Sequence, residues 1–189
     1  FANKEEVDLL RLNMSHVDIS KLEKTISFIR NYTNIDICID TEGAQIRTNF
    51  YGIKKFKRNE VGIISSKKKT GFKLYPDEVF NKIKLGDVLD IGFKELKVKI
   101  IQKSKKEIKF KTINPGVLES NKGVHVTNRK ITMNFLTKKD FKAIEIAKKN
   151  KIKDFALSFT NNLEDIIRFN KLLPNCNKIF KIETKSAIK

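Results

Sequence analysis

The sequence has few of the features that mark a secreted, membrane-spanning or arginine-rich protein. Its two cysteines, Cys38 and Cys176, lack the spacing of metal ligands, so a reducing and therefore cytoplasmic location is expected. No run of about 18 apolar residues occurs, and we expect no segment that spans a membrane. The chain starts Phe1-Ala2-Asn3 with neither an initiator methionine nor a signal peptide, which favours a start inside a longer protein.

Acidic residues are scarce relative to basic ones. Forty Lys and Arg residues stand against 22 Asp and Glu, which gives a formal net charge of +18. Such an excess suits a nucleic-acid or anionic-surface partner, but the positive residues here are mostly scattered lysines without a basic motif. Lys, Asn, Ile and Phe, the residues of A/T-rich codons, are all abundant. We therefore expect solvated lysines rather than a nucleic-acid interface.

Apolar residues are numerous enough for a core, and their spacing at the start of the chain predicts a βαβ unit. Strand-like apolar patterns occupy residues 7–13 and 35–40. Between them, apolar residues recur at helical spacing over residues 22–29, after a sequence typical of a capping box at residues 20–23. Strand, helix and strand in about 30 residues indicate a βαβ unit.

The same alternation resumes towards the end of the chain. A capped helix is predicted from Thr137 onward, followed by a strand at residues 154–159, a helix ended by Pro174 and a last strand at residues 178–183. Because neighbouring βα units build parallel sheets, we expect one parallel sheet or barrel that is interrupted once.

The interruption, residues 42–130, has the pattern of a small antiparallel β domain. Apolar and charged residues alternate at residues 72–74, 96–100 and 108–111, as in strands with one solvent-exposed face. The segment holds 22 basic and nine acidic residues, so most of the excess positive charge lies there. The sequence therefore predicts a basic β domain inserted into an α/β scaffold.

Polar side chains gather where the predicted parallel strands end, the edge at which α/β barrels carry their functional residues. These residues are Arg11, Asn13, Ser15, Asp40, Thr41, Ser158, Lys181 and Glu183. Carboxylates and neutral oxygens bind hard cations, and the two cationic side chains can neutralise a phosphate group. The pattern favours a phosphorylated substrate and hard metal ions.

Seven short segments, in the same order along the chain, resemble motifs of the pyruvate kinase family. They are residues 11–16 (RLNMSH), 40–48 (DTEGAQIRT), 89–92 (LDIG), 116–124 (GVLESNKGV), 136–140 (LTKKD), 156–159 (ALSF) and 179–183 (IFKIE). The resemblance covers nearly the whole chain, and the family's inserted β lid falls where the alternating segment lies.

The resemblance implies an α/β fold, with a partial TIM (β/α) barrel at residues 1–41 and 131–189. A small antiparallel β-barrel lid domain would be inserted at residues 42–130. It also implies a glycolytic phosphotransferase that converts phosphoenolpyruvate and ADP to pyruvate and ATP, with Mg²⁺ and K⁺ as cofactors. Since the family's first and final barrel strands would lie outside these residues, we expect the chain to be a fragment that is inactive alone. We expect the full-length protein to be a homo-oligomer.

The same resemblance implies a role for each site residue. Arg11 would bind the transferred phosphoryl group, and Lys181 would stabilise the enolate, which makes these two the predicted catalytic and substrate-binding residues. K⁺ would be bound by four oxygen-bearing residues, Asn13, Ser15, Asp40 and Thr41. Glu183 would bind Mg²⁺. The nucleotide would contact Asn13, Met14, Ser15, His16, Arg47 and Lys122.

Two other interpretations stay open on the sequence alone. Glu42, Gln45 and Ile91 stand where the family motifs have Lys, Glu and Asp, which favours a related module that binds ligands or regulates without turnover. The net charge of +18 favours, more weakly, a basic nucleic-acid-binding protein. Salt-dependent DNA binding would support the nucleic-acid interpretation, whereas Mg²⁺-dependent binding of phosphoenolpyruvate would support the other two.

Overall fold

The computed structural model describes residues 6–67, 71–184 and 187–188, and the chain divides into two compact units. Unit 1 consists of Phe1–Ala44 and Met133–Lys189, and unit 2 is Gln45–Thr132. The elements, in chain order, are β1 (Leu9–Asn13), α1 (Leu22–Arg30), β2 (Asp36–Asp40), β3 (Ile46–Asn49), β4 (Lys54–Phe56), β5 (Val61–Ser65), β6 (Lys73–Tyr75), α2 (Val79–Lys82), β7 (Val88–Ile91), β8 (Leu96–Lys103), β9 (Glu107–Thr112), β10 (Gly116–Leu118), β11 (Gly123–Val126), α3 (Lys138–Lys149), β12 (Asp154–Leu157), α4 (Leu163–Leu172) and β13 (Asn177–Phe180).

Unit 1 contains a four-stranded parallel sheet in the order β1-β2-β12-β13. The strands therefore lie side by side in the order in which they follow in the chain. In the register, Asn13 lies opposite Asp40, Asp40 lies opposite Ala156, and Leu157 lies opposite Phe180. The carboxyl ends of all four strands consequently meet at one edge of the sheet.

The helices of unit 1 pack on one face of this sheet because buried apolar residues alternate along its strands. Ile37 and Ile39 of β2, with Phe155 and Leu157 of β12, belong to a single buried core. The helices add further buried residues to that core, namely Leu22, Ile26, Ala143, Ile144, Ala147 and Phe169. Asp40 follows Ile39 and therefore points to the opposite face. None of the helices in the described part of the chain has the length and apolarity to cross a membrane.

Unit 2 is built mainly from a seven-stranded antiparallel sheet in the order β5-β9-β8-β7-β11-β3-β6. Its outer strands approach each other at Phe72, just before β6. The Phe72 amide donates to the Ile63 carbonyl (3.1 Å), and the Phe72 carbonyl accepts from the Ser65 amide (2.8 Å). The sheet therefore closes almost completely into a barrel. β4 and β10 form a separate antiparallel pair.

Burial in unit 2 follows the predicted alternation of apolar and charged residues. In β8, Leu96, Val98 and Ile100 are buried, while Lys97 and Lys99 are partly or fully exposed. The strands predicted at residues 72–74, 96–100 and 108–111 are confirmed as β6, β8 and β9. The apolar side chains line the inside of this sheet, and the lysines supply its solvated outer face.

Two local predictions for unit 1 are wrong. The first turn of α1 has no side-chain cap, because the residue at the cap position is Lys21, whose side chain has no acceptor. The amide and hydroxyl of Ser20, one residue earlier, donate to Asp18 (2.9 Å each). The last strand, predicted to reach residue 183, ends at Phe180 because the neighbouring β12 ends opposite it, at Leu157. The predicted cap of α3 is confirmed, since Thr137 and Asp140 form a complete capping box.

Candidate active site

The site is centred on the carboxylate of Asp40, the last residue of β2. This residue is 0% exposed, and a buried carboxylate requires compensating partners. It accepts hydrogen bonds from the Ser158 hydroxyl (2.9 Å) and from the Lys181 ammonium group (3.0 and 3.1 Å). The Nε atom of Arg11 lies 3.5 Å from its second oxygen. Asp40 therefore brings together the two cationic residues that the sequence predicts to be catalytic.

Arg11 reaches Asp40 along the face of the sheet opposite the helix-covered core. In β1 it lies opposite Cys38, two residues before Asp40. Its side chain is 58% exposed, so a guanidinium group anchored at one nitrogen presents its other donors to solvent. An anchored and exposed guanidinium is well suited to bind a phosphoryl or carboxylate group.

Cys38 lies beside Arg11 but has no reactive thiolate. Burial, reinforced by the charges of Asp40 and Asp154, raises the pKa of its thiol to about 12. The thiol is therefore protonated at neutral pH, and only a thiolate is an effective nucleophile. The chemistry of this site rests on oxygen and nitrogen groups.

Lys181 and Glu183 lie just after β13, so the prediction that they share one strand is wrong. The Lys181 amide still donates to the Leu157 carbonyl (2.9 Å) and extends the backbone ladder by one residue. The Glu183 carboxylate lies 3.7 Å from the Lys181 ammonium group and accepts a hydrogen bond from the Phe159 amide (3.0 Å). The connection after β12, rather than a common strand face, holds the two side chains together.

The four residues predicted to bind K⁺ lie at the ends of β1 and β2. Asn13 stands opposite Asp40, and its side-chain oxygen accepts a hydrogen bond from the Ser15 amide (2.9 Å). The Thr41 hydroxyl instead donates to the Ala156 carbonyl (3.0 Å) and accepts from the Ser158 amide (3.1 Å). The Thr41 side chain is therefore engaged with β12 and its continuation.

The donors at these strand ends suit hard cations rather than a transition metal. Within residues 6–67, 71–184 and 187–188, no group of three His, Cys, Asp or Glu side chains could hold a metal ion. The oxygens of Asn13, Ser15 and Asp40 are of the type that alkali and alkaline-earth cations prefer. Glu183 offers a single carboxylate, which fits Mg²⁺ because that ion keeps water and substrate phosphates as most of its ligands.

The residues predicted to contact the nucleotide are divided between the two units. The unit 1 residues lie in a turn that begins at Asn13, the last residue of β1, and continues through Met14, Ser15 and His16. In this turn the His16 and Val17 amides donate to the Asn13 carbonyl (3.0 and 3.1 Å). The Met14 side chain is fully buried in the core of unit 1, so this turn can offer the nucleotide its backbone and the polar side chains around Met14.

Arg47 and Lys122 belong to unit 2, where they lie close to each other. Arg47 of β3 pairs with Gly123, the residue after Lys122, and its guanidinium group donates to the Asn121 carbonyl (3.2 Å). The Lys122 ammonium group lies 3.0 Å from Glu119 and 3.3 Å from Glu95. Hydrogen bonds to Glu119 and then Glu95 raise the pKa of Lys122. Lys122 is therefore a charged residue held between two carboxylates.

A buried polar cluster next to Asp40 has no counterpart in the sequence predictions. The two oxygens of Glu42 accept from the Thr137 hydroxyl (3.0 Å) and the Lys139 ammonium group (3.1 Å). Asp140 accepts from the amides of Glu42 (2.7 Å), Gly43 (3.1 Å) and Thr137 (2.9 Å). The capping motif signals only the local bonds of this cluster, because Glu42 and Thr137 are 95 residues apart in the chain.

Comparison with known proteins gives the family. The family described as "Pyruvate kinase, barrel domain" matches residues 2–189, almost the whole chain. The chain therefore belongs to the pyruvate kinase family. Curated relatives include the pyruvate kinases of Staphylococcus aureus strains USA300, COL and N315, each 29% identical over 199 residues and covering 96% of this chain. The chain spans about a third (34%) of the length of these relatives.

Proposed function

We propose that this chain is part of a pyruvate kinase that transfers the phosphoryl group of phosphoenolpyruvate to ADP, yielding pyruvate and ATP. The placement of Arg11 and Lys181 against the buried Asp40, with Glu183 beside Lys181, carries the proposal. Phosphoryl transfer depends mainly on positioning and on neutralising charge, and these residues supply both. Because the chain spans a third of its relatives' length, turnover is assigned to the complete protein, a cytoplasmic, homo-oligomeric enzyme of glycolysis.

In this proposal Lys181 and Arg11 are the catalytic residues. Two hydrogen bonds to Asp40 fix the Lys181 ammonium group before substrate binds. As the phosphoryl group leaves, negative charge grows on the enolate oxygen, and a fixed ammonium group stabilises that charge more than it stabilises the ground state. Arg11, anchored at Asp40 and otherwise exposed, binds the phosphoryl group that is transferred.

Two cations complete the proposed site. Mg²⁺ is assigned to Glu183, together with substrate oxygens and water, and K⁺ to Asn13, Ser15, Asp40 and Thr41. The Thr41 hydroxyl is engaged with Ala156 and Ser158, so it would have to exchange one of these contacts to bind K⁺. When bound, these cations supply positive charge that neutralises the phosphate groups.

The nucleotide is assigned to the turn at residues 13–16 of unit 1, and Arg47 and Lys122 of unit 2 stay predicted nucleotide contacts. Unit 1 is proposed to be part of a TIM (β/α) barrel, since its parallel strands follow chain order as barrel strands do. Unit 2, with its almost closed sheet, is proposed to be the lid domain. Lys122 must exchange Glu95 or Glu119 for a phosphate group if it binds nucleotide.

A related module without turnover is the second candidate, and the departures at Glu42, Gln45 and Ile91 are what favour it. Their environments weaken that case. Ile91 is fully buried in the sheet of unit 2, and the charge of Glu42 is matched by Lys139. The Gln45 amide donates to two backbone carbonyls. Because each departure is accommodated by packing or pairing, we favour the enzyme.

The test is an assay of the complete natural protein for pyruvate release from phosphoenolpyruvate and ADP, with Mg²⁺ and K⁺ each removed in turn. We expect turnover that requires Mg²⁺ and increases with K⁺. Mg²⁺-dependent binding of phosphoenolpyruvate without turnover would support the non-catalytic module instead. Absence of both binding and turnover would refute the proposal, and salt-dependent retention on DNA would then favour the nucleic-acid interpretation.

A further inference from the structure

We propose that Glu42 and Lys139 are a pair of positioning residues that fix the turn at residues 13–16. This inference rests on the proposed function, because it matters for turnover only if that turn binds the nucleotide or K⁺. Neither residue is among the predicted catalytic, metal-binding or nucleotide-binding residues. Both belong to unit 1, as does the turn that they contact.

The central contact is made by the Lys139 ammonium group. It donates hydrogen bonds to the backbone carbonyl of Met14 and to the Glu42 carboxylate, the latter at 3.1 Å. Lys139 lies in the first turn of α3, and Met14 follows the end of β1. A single side chain therefore connects the helix that follows unit 2 in the chain to the turn after the first strand.

Both backbone groups of Met14 form hydrogen bonds. Its amide donates to the Asp40 carbonyl (2.9 Å), and its carbonyl receives the Lys139 ammonium group. Its side chain is fully buried in the core of unit 1. Both backbone groups and the side chain of Met14 are therefore engaged, and Met14 lies between Asn13, which pairs with Asp40, and Ser15, whose amide donates to Asn13.

Glu42 in turn fixes Lys139. Its side chain is 6% exposed, and its carboxylate uses one oxygen for Lys139 and the other for the Thr137 hydroxyl. Its backbone amide donates to Asp140 (2.7 Å). Because the backbone amide and the carboxylate of Glu42 are both hydrogen-bonded, the carboxylate is a fixed acceptor for the Lys139 ammonium group.

A simpler explanation is that Lys139 only neutralises a buried carboxylate. Removing one partner of a buried ion pair leaves the other charge uncompensated, which destabilises a protein whatever the pair does. The two explanations differ when both charges are removed together. If Lys139 acts by holding Met14, the turn stays loose in the double variant even though no charge is left unpaired.

The experiment compares Lys139→Met, the double variant Glu42→Gln/Lys139→Met and the conservative Lys139→Arg in the complete natural protein. Hydrogen exchange of the His16 and Val17 amides is the readout, since both donate within the turn. We expect exchange about tenfold faster or more in Lys139→Met and in the double variant, as for loss of a charged hydrogen bond. Lys139→Arg, which keeps a donor, is expected to retain most of the protection.

Recovery of normal exchange in the double variant would overturn the proposal, as would unchanged exchange in Lys139→Met. If Lys139→Met does not fold, the double variant carries the test, because it has no unpaired buried charge.

In an active protein, we further expect the KM for ADP to rise about tenfold, since small displacements of a binding group are costly, with the KM for phosphoenolpyruvate nearly unchanged. An unchanged KM for ADP despite a loosened turn would also count against it, whereas an inactive parent would refute the proposed function and leave the exchange test intact.

Discussion

At the scale of single residues, the site is organised by Asp40 more than by the cationic residues around it. Asp40 is fully buried, yet its carboxylate meets Ser158, Lys181 and Arg11. A buried carboxylate with one ammonium partner and one hydroxyl partner is compensated, and it holds the ammonium group in a fixed position. The positions of Arg11 and Lys181, which would contact substrate, therefore depend on Asp40, whose own side chain is buried.

The first residue-scale prediction concerns Lys181. In the complete protein, Lys181→Met is expected to lower turnover by about 100- to 1000-fold, the usual cost of losing a preorganised donor at developing charge. Binding of phosphoenolpyruvate should change little, because Arg11 and Glu183 remain. Steady-state kinetics and direct binding measure the two effects, and Lys171→Met, a change at an exposed lysine of α4, is the control. Unchanged turnover in Lys181→Met would remove the residue from the mechanism.

The second residue-scale prediction concerns the pKa of Asp140. Burial raises this pKa to about 6, despite amide hydrogen bonds from Thr137, Glu42 and Gly43 that favour the charged form. In the unfolded chain the pKa is about 4, so the folded chain binds this proton more tightly. Asp140 therefore contributes stability that is present below about pH 4 and lost as the pH rises to about 6.

Carbon-13 NMR titration of the carboxyl groups checks this prediction. Asp140 is expected to titrate with a midpoint of about 6. Asp18 is the internal comparison, because hydrogen bonds from the amide and hydroxyl of Ser20 lower its pKa. A midpoint for Asp140 at or below that of Asp18 would show that the amide hydrogen bonds outweigh burial.

At the scale of elements, the sequence predicts what is decided locally. Alternation of apolar and charged residues was sufficient for β6, β8 and β9, and the motif Thr137 to Asp140 was sufficient for the cap of α3. The end of β13 could not be predicted in this way, because it depends on where its neighbour β12 ends. The capping box predicted for α1 is wrong for a local reason, because the helix begins one residue later than predicted, with Lys21 at the cap, and Ser20 donates to Asp18.

An element-scale prediction follows from the two roles of Thr137. Its hydroxyl accepts from the Asp140 amide as the cap of α3 and donates to Glu42. Asn162, the cap of α4, accepts from the Asp165 amide in the same way. Asn162→Ala should lower the free energy of unfolding by about 1 kcal/mol, as is usual for a lost cap. Thr137→Ala should lower it by about 1 kcal/mol more, because this change also leaves a buried carboxylate oxygen without its hydroxyl donor.

Urea unfolding of the two alanine variants measures this difference, with Thr137→Ser as the control that keeps the hydroxyl group. Thr137→Ser is expected to remain close to the natural protein. Equal losses for Thr137→Ala and Asn162→Ala would mean that the contact with Glu42 contributes nothing to stability.

At the scale of the whole molecule, chain order explains both the success and the limit of prediction. The site residues at the ends of β1 and β2 could be picked out because parallel strands bring their carboxyl ends together. The contact between Glu42 and Lys139 joins residues that are 97 apart in the chain, so no local sequence pattern predicts it. Unit 2 is inserted between these two residues, so the buried cluster forms where the chain leaves unit 1 and where it returns.

The two units also have separate cores, which leads to the last prediction. The core cluster around β1, β2 and β12 contains residues of unit 1 alone. In unit 2, Arg129 makes a bidentate pair with the buried Asp87 (2.6 and 2.7 Å) and also donates to the Lys82 carbonyl. Burial alone would raise the pKa of Asp87, but the hydrogen bonds from Arg129 and Lys84 lower it overall.

Arg129→Met should leave the Asp87 carboxylate buried with the Lys84 amide but without its ion-pair partner, which should lower the stability of unit 2 by about 3 kcal/mol. Because local unfolding follows local stability, amide hydrogen exchange should accelerate in β7 and β8 while β1 and β2 keep their protection. Hydrogen exchange followed by mass spectrometry resolves the two units, and Arg58→Met, at an exposed arginine of unit 2, is the matched control. The pairing stabilises above the usual Asp pKa and is lost as the pH falls through the lowered value, so the difference between natural and variant chains should shrink in acid. Equal loss of protection in both units would instead mean that they unfold as one cooperative body.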